Sequence, residues 1–155
     1  ANRELVAGGD YPLSKEGEDA LFRVEKPTVD KVFCSELIRA KETAKLMYPF
    51  KPAKSYEVFN EINFGRYEGK KIDRDFVKIY ENNIWDIDTL WGGDNVDERA
   101  RIALEKMSFL HEGDIAIVMH DTLIRAVLSK YHFGTVRKMN RIRKIRNGEF
   151  VEVRM

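Results

Sequence analysis

Residues 115–126 have the sequence IAIVMHDTLIRA, an apolar run that leads directly into a helical pattern. The apolar residues Ile115–Met119 predict a buried strand, and residues 121–132 predict a helix. His120 therefore stands at the junction between the two elements. A buried strand that passes straight into a helix is typical of α/β proteins, in which helices cover both faces of a mostly parallel sheet.

A second stretch upstream has the same organisation. Lys31–Cys34 predicts a short buried strand, and Ser35 can cap a helix over residues 36–48 that Pro49 ends. Further patterns predict helices over residues 15–25, 72–82 and 96–110, a strand over 55–59, and a closing hairpin over 141–153 around Asn147-Gly148. The predicted fold class is α/β, a three-layer sandwich with a mostly parallel sheet flanked by helices.

The composition is that of an ordinary globular protein. The chain has 155 residues, 43% of them hydrophobic and 34% charged, which predicts a single domain over residues 1–155 and excludes a disordered chain. No apolar run reaches the ~20 residues that a membrane span needs. A single cysteine, Cys34, cannot form an internal disulfide. We therefore expect a cytoplasmic protein without a membrane partner.

The net charge of +1 conceals an asymmetry. Residues 137–155 carry seven basic and two acidic side chains, whereas residues 1–136 have a net charge of −4. The basic stretch Arg137–Arg146 is either a solvated surface or a surface that steers anions towards a site. It lacks the interleaved glycine, serine and aromatic residues of a nucleic-acid arm, so no nucleic-acid partner is expected.

Three residues have the chemistry of a site that binds an oxyanion. His120 and Arg39 follow the two predicted strands, where parallel sheets bind ligands beside helix N-termini. An imidazole there can move a proton, and a guanidinium can hold an oxyanion with two parallel bonds. Glu61 lies in a loop with two glycines and two aromatic residues, a setting that suits a general acid. Each also has a structural alternative: a turn-capping histidine, an ion-paired surface arginine and an ordinary loop carboxylate. The scattered histidines and the lone cysteine predict no metal site.

Together these stretches resemble the histidine phosphatase superfamily, the phosphoglycerate mutase-like proteins. The resemblance rests on VFCSELIRAKETA at residues 32–44, NEINFGRYEG at 60–69, GDN at 93–95 with its following helix, and IAIVMHDTLIRA at 115–126. It extends to Asn2, Gly8, Asp10 and the sequence PLS at residues 12–14 near the start, and to Asn147-Gly148 near the end. It covers the chain in order and implies the sandwich fold of that family.

The resemblance implies phosphoryl transfer through a phosphohistidine, without a metal ion or other cofactor. One histidine attacks phosphorus, a second histidine and two arginines hold the phosphoryl oxygens, and a glutamate protonates the leaving oxygen. Carried over by motif, Arg39 is the phosphate clamp, Glu61 the proton donor and base, and His120 the second histidine. Asn2 would line the phosphate pocket, and Thr122 would be a neighbouring substrate-binding residue. The expected partner is a small phosphorylated metabolite.

The sequence departs from the family pattern in two places. The family's first strand ends in Arg-His-Gly, which supplies the attacking histidine, and that motif does not occur in the 155 residues. We therefore expect the natural protein to begin on the order of 15 residues earlier, enough for one strand and its loop. Asp121 follows His120 where many relatives have glycine, which adds a carboxylate near the anion site.

Three functions remain as expectations. The first is a phosphatase of small phosphomonoesters, which the short segment between Asn60 and Val96 favours because it leaves little covering over the pocket. The second is a phosphoglycerate mutase-type enzyme. The third is a protein that binds phosphate or a phosphorylated ligand and lacks the nucleophile.

Overall fold

A computed structural model describes residues 10–146 and 148–155 of the chain. The predicted pocket residue Asn2 and the turn residue Asn147 lie outside these described residues. The helices are α1 (Lys15–Phe22), α2 (Ile38–Met47), α3 (Arg74–Asn82), α4 (Ile87–Trp91), α5 (Val96–Leu110) and α6 (Asp121–Phe133), and the strands are β1 (Lys31–Cys34), β2 (Ala53–Ser55) and β3 (Ile115–Val118). No helix in the described part of the chain is long and apolar enough to cross a membrane.

The three strands form one parallel sheet in the order β2-β1-β3. Cys34 at the end of β1 is the register partner of Val118 at the end of β3. Because parallel strands finish at the same edge of a sheet, the loops after these two residues lie side by side. The parallel sheet with its helices confirms the predicted α/β class.

Alternate residues of the strands face two different helical layers. Val32 and Cys34 pack with α1 and α2 on one face of the sheet, while Phe33 packs with α5 and α6 on the other. Successive side chains of a strand point to opposite faces, so a short apolar run such as Val32–Cys34 supplies both layers. The result is the predicted three-layer arrangement of helices, sheet and helices.

Cys34 lies near the middle of this arrangement. It belongs to the central strand, and 1% of its surface is exposed. Burial raises the pKa of its thiol above the ordinary value of 9.0, with a smaller lowering by the charge of Lys41. Cys34 is therefore a small core residue that holds its proton at neutral pH.

The segment between β2 and α5 is anchored by aromatic rings. Phe76 of α3 contacts three other buried rings, with centroid distances of 5.6 Å to Phe64, 5.3 Å to Tyr67 and 5.1 Å to Trp91. All four residues belong to the main apolar core. This packing fixes the loop that follows Phe59 and carries Glu61.

The predicted closing hairpin is wrong for the residues that the structure describes. Residues 142–146 and 148–155 contain no strand, and a 3-10 helix occupies Val136–Arg141 before them. The Glu149 amide donates to the Arg146 carbonyl at 3.0 Å, and the Glu149 carboxylate accepts from Arg143 and from the Arg146 amide. These polar groups are satisfied within a turn instead of along a strand ladder.

Several predicted boundaries also differ from the structure. The helix predicted over residues 15–25 ends at Phe22, and the helix predicted over 72–82 begins at Arg74. The second helix begins at Ile38 rather than at residue 36, because the Ser35 hydroxyl bonds the Leu37 amide and a distant side chain instead of capping a helical turn. The predicted strand 55–59 is replaced by β2 at Ala53–Ser55 and a 3-10 turn at Glu57–Phe59, which buries Phe59 completely.

Candidate active site

The loops that follow β1 and β3 meet at a hydrogen bond between two buried side chains. Ser35, directly after β1, and His120, directly before α6, join through Oγ and Nε2 at 2.7 Å. The Ser35 amide donates to the Val118 carbonyl at 3.0 Å and extends the pairing of the two strands by one residue. The carboxyl edge of the sheet therefore brings two polar residues together that lie 85 positions apart in the sequence.

His120 is held as a neutral imidazole. It is 7% exposed, and its backbone is extended just before the first turn of α6. Burial lowers its pKa from 6.5 to about 3, and the positive charges of Arg39 and Arg99 act in the same direction. Its side chain makes no capping bond to the helix, so the structural alternative of a turn-capping histidine is not what the structure shows.

Arg39 lies in the first turn of α2 and is partly buried. Arg39, Glu61 and His120 line the same cavity, which has a volume of about 1060 Å³. The cavity follows β3 along its length and is bordered on another side by residues 148–155. The structure thus brings the three predicted catalytic residues to one place, although they come from three separate segments of the chain.

Glu61 is bound by the N-terminus of α6. Its carboxylate accepts hydrogen bonds from the Thr122 amide at 3.1 Å, the Leu123 amide at 3.0 Å and the Ile62 amide at 2.9 Å. Burial of the carboxyl group raises its pKa above the ordinary value of 4.5, and the negative charge of Asp121 adds to this, while the three amides oppose it. The sequence suggested that an external anion binds at the N-terminus of α6. In the structure the carboxylate of Glu61 occupies this position.

Thr122 is buried, and its side chain is already engaged. Its hydroxyl shares a hydrogen bond of 2.8 Å with the Tyr80 hydroxyl, which also accepts from Arg125. Burial raises the pKa of Tyr80 to about 12, so this hydroxyl keeps its proton. The structure places Thr122 against Glu61 through its amide, and its role as a substrate-binding residue stays a prediction.

Asp121, the residue that replaces the glycine of many relatives, is tied into the protein. One carboxylate oxygen accepts from Arg125 at 3.1 Å and the other accepts from the Ile145 amide at 2.7 Å. Its charge acts on Glu61 and Tyr80. Asp121 therefore fastens the basic C-terminal segment to α6, while its charge reaches the site. Arg146 of that segment lines the cavity, and anion steering by the segment stays a prediction.

Sequence reasoning missed three residues around the site: Ser35 as the partner of His120, Arg99 and Tyr80. Arg99 donates to the Asn60 carbonyl and to the Asp94 carboxylate. The signal that could have found it is the Gly92-Gly93 pair directly before Asp94, since paired glycines permit a close approach of two backbones. Across the described residues, no cluster of histidine, cysteine and carboxylate side chains could hold a metal ion.

Comparison with known protein families agrees with the resemblance found in the sequence. The sequence matches the profile of the histidine phosphatase superfamily (branch 1) over residues 1–155. Comparison with curated proteins finds no match.

Solved structures with this fold include three phosphatases. The α-ribazole phosphatase from Shigella flexneri has a TM-score of 0.70 at 20% identity, and the match covers 92% of this chain and 79% of that chain. A phosphoserine phosphatase mutant from Entamoeba histolytica has a TM-score of 0.65 at 17% identity, covering 90% and 77%. A mycobacterial glucosyl-3-phosphoglycerate phosphatase has a TM-score of 0.65 at 16% identity, covering 93% and 78%. At these identities the likeness is one of fold.

Proposed function

The chain belongs to the histidine phosphatase superfamily (branch 1), and from this membership we propose that it hydrolyses a small phosphomonoester through a phosphohistidine, without a metal ion. The observation that carries the proposal is the shared cavity of Arg39, Glu61 and His120 at the carboxyl edge of the sheet. A guanidinium, a protonated carboxyl group and an imidazole are the groups that phosphoryl transfer needs when no metal ion neutralises the phosphate.

In this proposal Arg39 and His120 hold the phosphoryl group. The Arg39 guanidinium pairs with two phosphoryl oxygens and stabilises the negative charge spread over them in the transition state. The imidazole of His120, neutral because of its lowered pKa, has a single N–H, which donates a hydrogen bond to a phosphoryl oxygen. The bond to Ser35 keeps its ring in one orientation.

Glu61 supplies the proton in the first step and recovers one in the second. The attacking histidine, which by resemblance belongs to an Arg-His-Gly motif that the 155 residues do not contain, forms a bond to phosphorus as the bond to the ester oxygen breaks, and the Glu61 proton goes to that leaving oxygen. Water then attacks phosphorus, its proton goes to the Glu61 carboxylate, and the nitrogen–phosphorus bond breaks to release phosphate. The raised pKa of Glu61 supports this role, because a carboxyl group must still carry its proton when the ester binds.

A phosphatase is preferred to a mutase because the segment between residues 60 and 95 places little covering over the site. Between residues 60 and 95, all of which the structure describes, only Glu61 lines the cavity. The aromatic residues of this segment are instead buried in the core. Water therefore reaches the cavity without a closing segment from this part of the chain, which favours hydrolysis over transfer to a second alcohol.

A binding protein without turnover is the second candidate. It is favoured by one observation: Arg39 and His120 line the cavity beside a helix N-terminus, and binding of a phosphoryl group there needs no attacking histidine. His111, one of the other two histidines, also lines the cavity, but it follows α5 and precedes β3, whereas Ser35 and His120 lie at the carboxyl edge of the sheet. In this alternative Arg39, His120 and their neighbours hold a phosphoryl group that no residue attacks.

One set of measurements separates these functions. We expect hydrolysis of 4-nitrophenyl phosphate in the presence of a chelator, with kcat/KM reduced about 100-fold or more in Arg39→Ala and His120→Ala. The exposed His132→Ala is the matched control and should retain full activity. An acid-labile phosphoenzyme trapped during turnover supports the phosphohistidine.

Other outcomes would exclude the proposal. Binding of inorganic phosphate that depends on Arg39 and His120, with no turnover of any phosphomonoester, supports the binding protein. Stimulation of phosphoryl exchange by a bisphosphorylated glycerate supports the mutase. Activity that is unchanged in both variants would overturn the site assignment.

A further inference from the structure

The loop that carries Glu61 is attached to the start of α5 by the side chain of Arg99. Nη2 of Arg99 donates to the Asn60 carbonyl, and Nη1 donates to the Glu61 carbonyl at 3.4 Å. Nη1 also pairs with the Asp94 carboxylate, with the Arg99 side chain 19% exposed. One guanidinium thus joins two consecutive backbone carbonyls of the loop to an acid on the neighbouring segment.

The same two segments are also joined by their backbones. The Asp94 amide donates to the Asn63 carbonyl at 2.9 Å, and the Asn63 amide donates to the Asp94 carboxylate at 2.8 Å. Gly65 has a φ of +62°, and a Cβ there would lie 2.1 Å from the Trp91 carbonyl oxygen. The loop therefore has no room to shift towards Trp91, and Asp94 and Arg99 attach it to the segment that follows Trp91.

From these contacts we propose that Arg99 is a positioning residue for Glu61, an inference that rests on the proposed phosphatase function. The backbone of Glu61 is held by Arg99, and its carboxylate is held by the Thr122 and Leu123 amides of α6. The side chain spans the gap between these two attachments. Arg99 thereby fixes the point from which the Glu61 proton reaches the leaving oxygen.

Arg39 and Arg99 differ in what they face. Arg39 lines the cavity, whereas Arg99 is not among the residues of the described chain that line it. Both terminal nitrogens of Arg99 are directed at oxygens of the protein. Its charge nevertheless contributes to the lowered pKa of His120. Arg99 acts on the reacting groups by holding Glu61 and by the electrostatic effect of its positive charge on His120. It is not a second phosphate clamp.

Two substrates that differ in their leaving group test this role. Nitrophenolate leaves as a stable anion, whereas phenolate is more basic and depends on the proton from Glu61. We expect Arg99→Gln to lower kcat/KM for phenyl phosphate about ten-fold or more and kcat/KM for 4-nitrophenyl phosphate about two-fold. The ratio kcat/KM reports the step in which the leaving oxygen departs, and a misplaced acid affects the protonation of that oxygen.

A second variant and a control make the test specific. Arg99→Lys keeps the charge but cannot bridge two carbonyls and a carboxylate, so it should show the same preference for the better leaving group. Arg101→Gln removes an exposed arginine of the same helix, which pairs with Glu105 at 2.8 Å, and it should leave both substrates unaffected. Equal losses on the two substrates with a raised KM would show that Arg99 holds phosphate directly and would overturn the proposal.

Failure of the proposed function can be recognised separately. If the wild-type chain hydrolyses neither substrate, the phosphatase proposal fails, and the positioning role is read from the carboxyl carbon resonance of Glu61. We then expect Arg99→Gln, but not Arg101→Gln, to bring the pKa of Glu61 closer to its ordinary value, since the side chain loses its fixed buried position. A Glu61 titration that is identical in wild type and Arg99→Gln would overturn the positioning role.

Discussion

The junction between β1 and α2 and the junction between β3 and α6 lie side by side but use their backbone amides differently. In the first, the amides of residues 36–38 donate to side chains from three separate segments, among them Asp10 at 2.8 Å from the Ile38 amide. In the second, the amides of residues 122–123 donate to the single carboxylate of Glu61. The first junction is therefore a scaffold, and the second places an acid at a helix N-terminus.

In the proposed function, this difference lets one sheet edge combine a fixed backbone with proton transfer. Amides at a helix N-terminus favour the charged form of a carboxylate, while burial favours the neutral form. At Glu61 burial has the larger effect, and its pKa is raised in spite of three amide hydrogen bonds. Burial and the three amides thus act on the Glu61 carboxyl group in opposite directions.

Among substitutions at the two junctions, Glu61→Gln is expected to have the largest effect on activity. Glutamine has nearly the same shape but no acidic proton, so kcat for phenyl phosphate should fall about 100-fold or more. Steady-state kinetics of the purified variant would measure this, with the exposed Glu105→Gln as control. Retention of wild-type kcat in Glu61→Gln would show that the second junction has no catalytic acid.

The second junction should also determine how stability depends on pH. His120 has a pKa of about 3 in the folded chain and an ordinary value of 6.5. Between these values the unfolded chain binds a proton that the folded chain does not, so the free energy of unfolding decreases as the pH falls through this interval. One such proton corresponds to a slope of up to about 1.4 kcal/mol per pH unit.

Removal of the imidazole provides the measurement. Urea unfolding of wild type and His120→Gln between about pH 7 and pH 4.5 should give a smaller pH slope for the variant. Glu61 has the opposite effect on the pH dependence. Because its pKa is higher in the folded chain than the ordinary value of 4.5, its contribution to the free energy of unfolding decreases as the pH rises above 4.5. His132→Gln serves as the control with an exposed imidazole. Identical slopes for wild type and His120→Gln would contradict a buried neutral His120.

The smallest effect is expected from Asp10→Asn at the first junction. Asparagine keeps an oxygen that accepts from the Ile38 amide and loses only a charge near a helix N-terminus, which contributes about 0.5 kcal/mol. The free energy of unfolding should fall by about that amount, with kcat within about two-fold of wild type. A loss of kcat comparable to that of Glu61→Gln would abolish the distinction between the two junctions.

The elements predicted best from the sequence are those with long or uniform patterns. The helix over Val96–Leu110 and the strand at Ile115–Val118 have the expected bounds to within one residue, because apolar periodicity reports directly on burial. The start of α2 was placed two residues too early. The Ser35 hydroxyl is bound to His120, and a contact over 85 positions leaves no trace in a local pattern.

The sequence identifies candidate site residues but not the contacts between them. Resemblance singled out Arg39, Glu61 and His120, and the structure brings them to one cavity. That Glu61 would accept from the start of α6, and that Arg99 would hold its backbone, depends on packing between segments that are remote in sequence. The closing hairpin failed for a related reason: Glu149 satisfies the local arginines, so a turn forms where Asn-Gly predicted a strand pair.

The reactivity of Cys34 can report on slow opening of the structure around it. The sole cysteine of the 155 residues lies on the central strand, and 1% of its surface is exposed. It borders a cavity that Lys41 and Tyr48 also line, so a thiol reagent reaches it when this cavity opens, and a thiolate must then form. Where reclosing is fast, the alkylation rate gives the equilibrium population of the open state; where reclosing is slow, it gives the opening rate itself. Opening beside the central strand could thus be timed at one sulfur atom, without an introduced label.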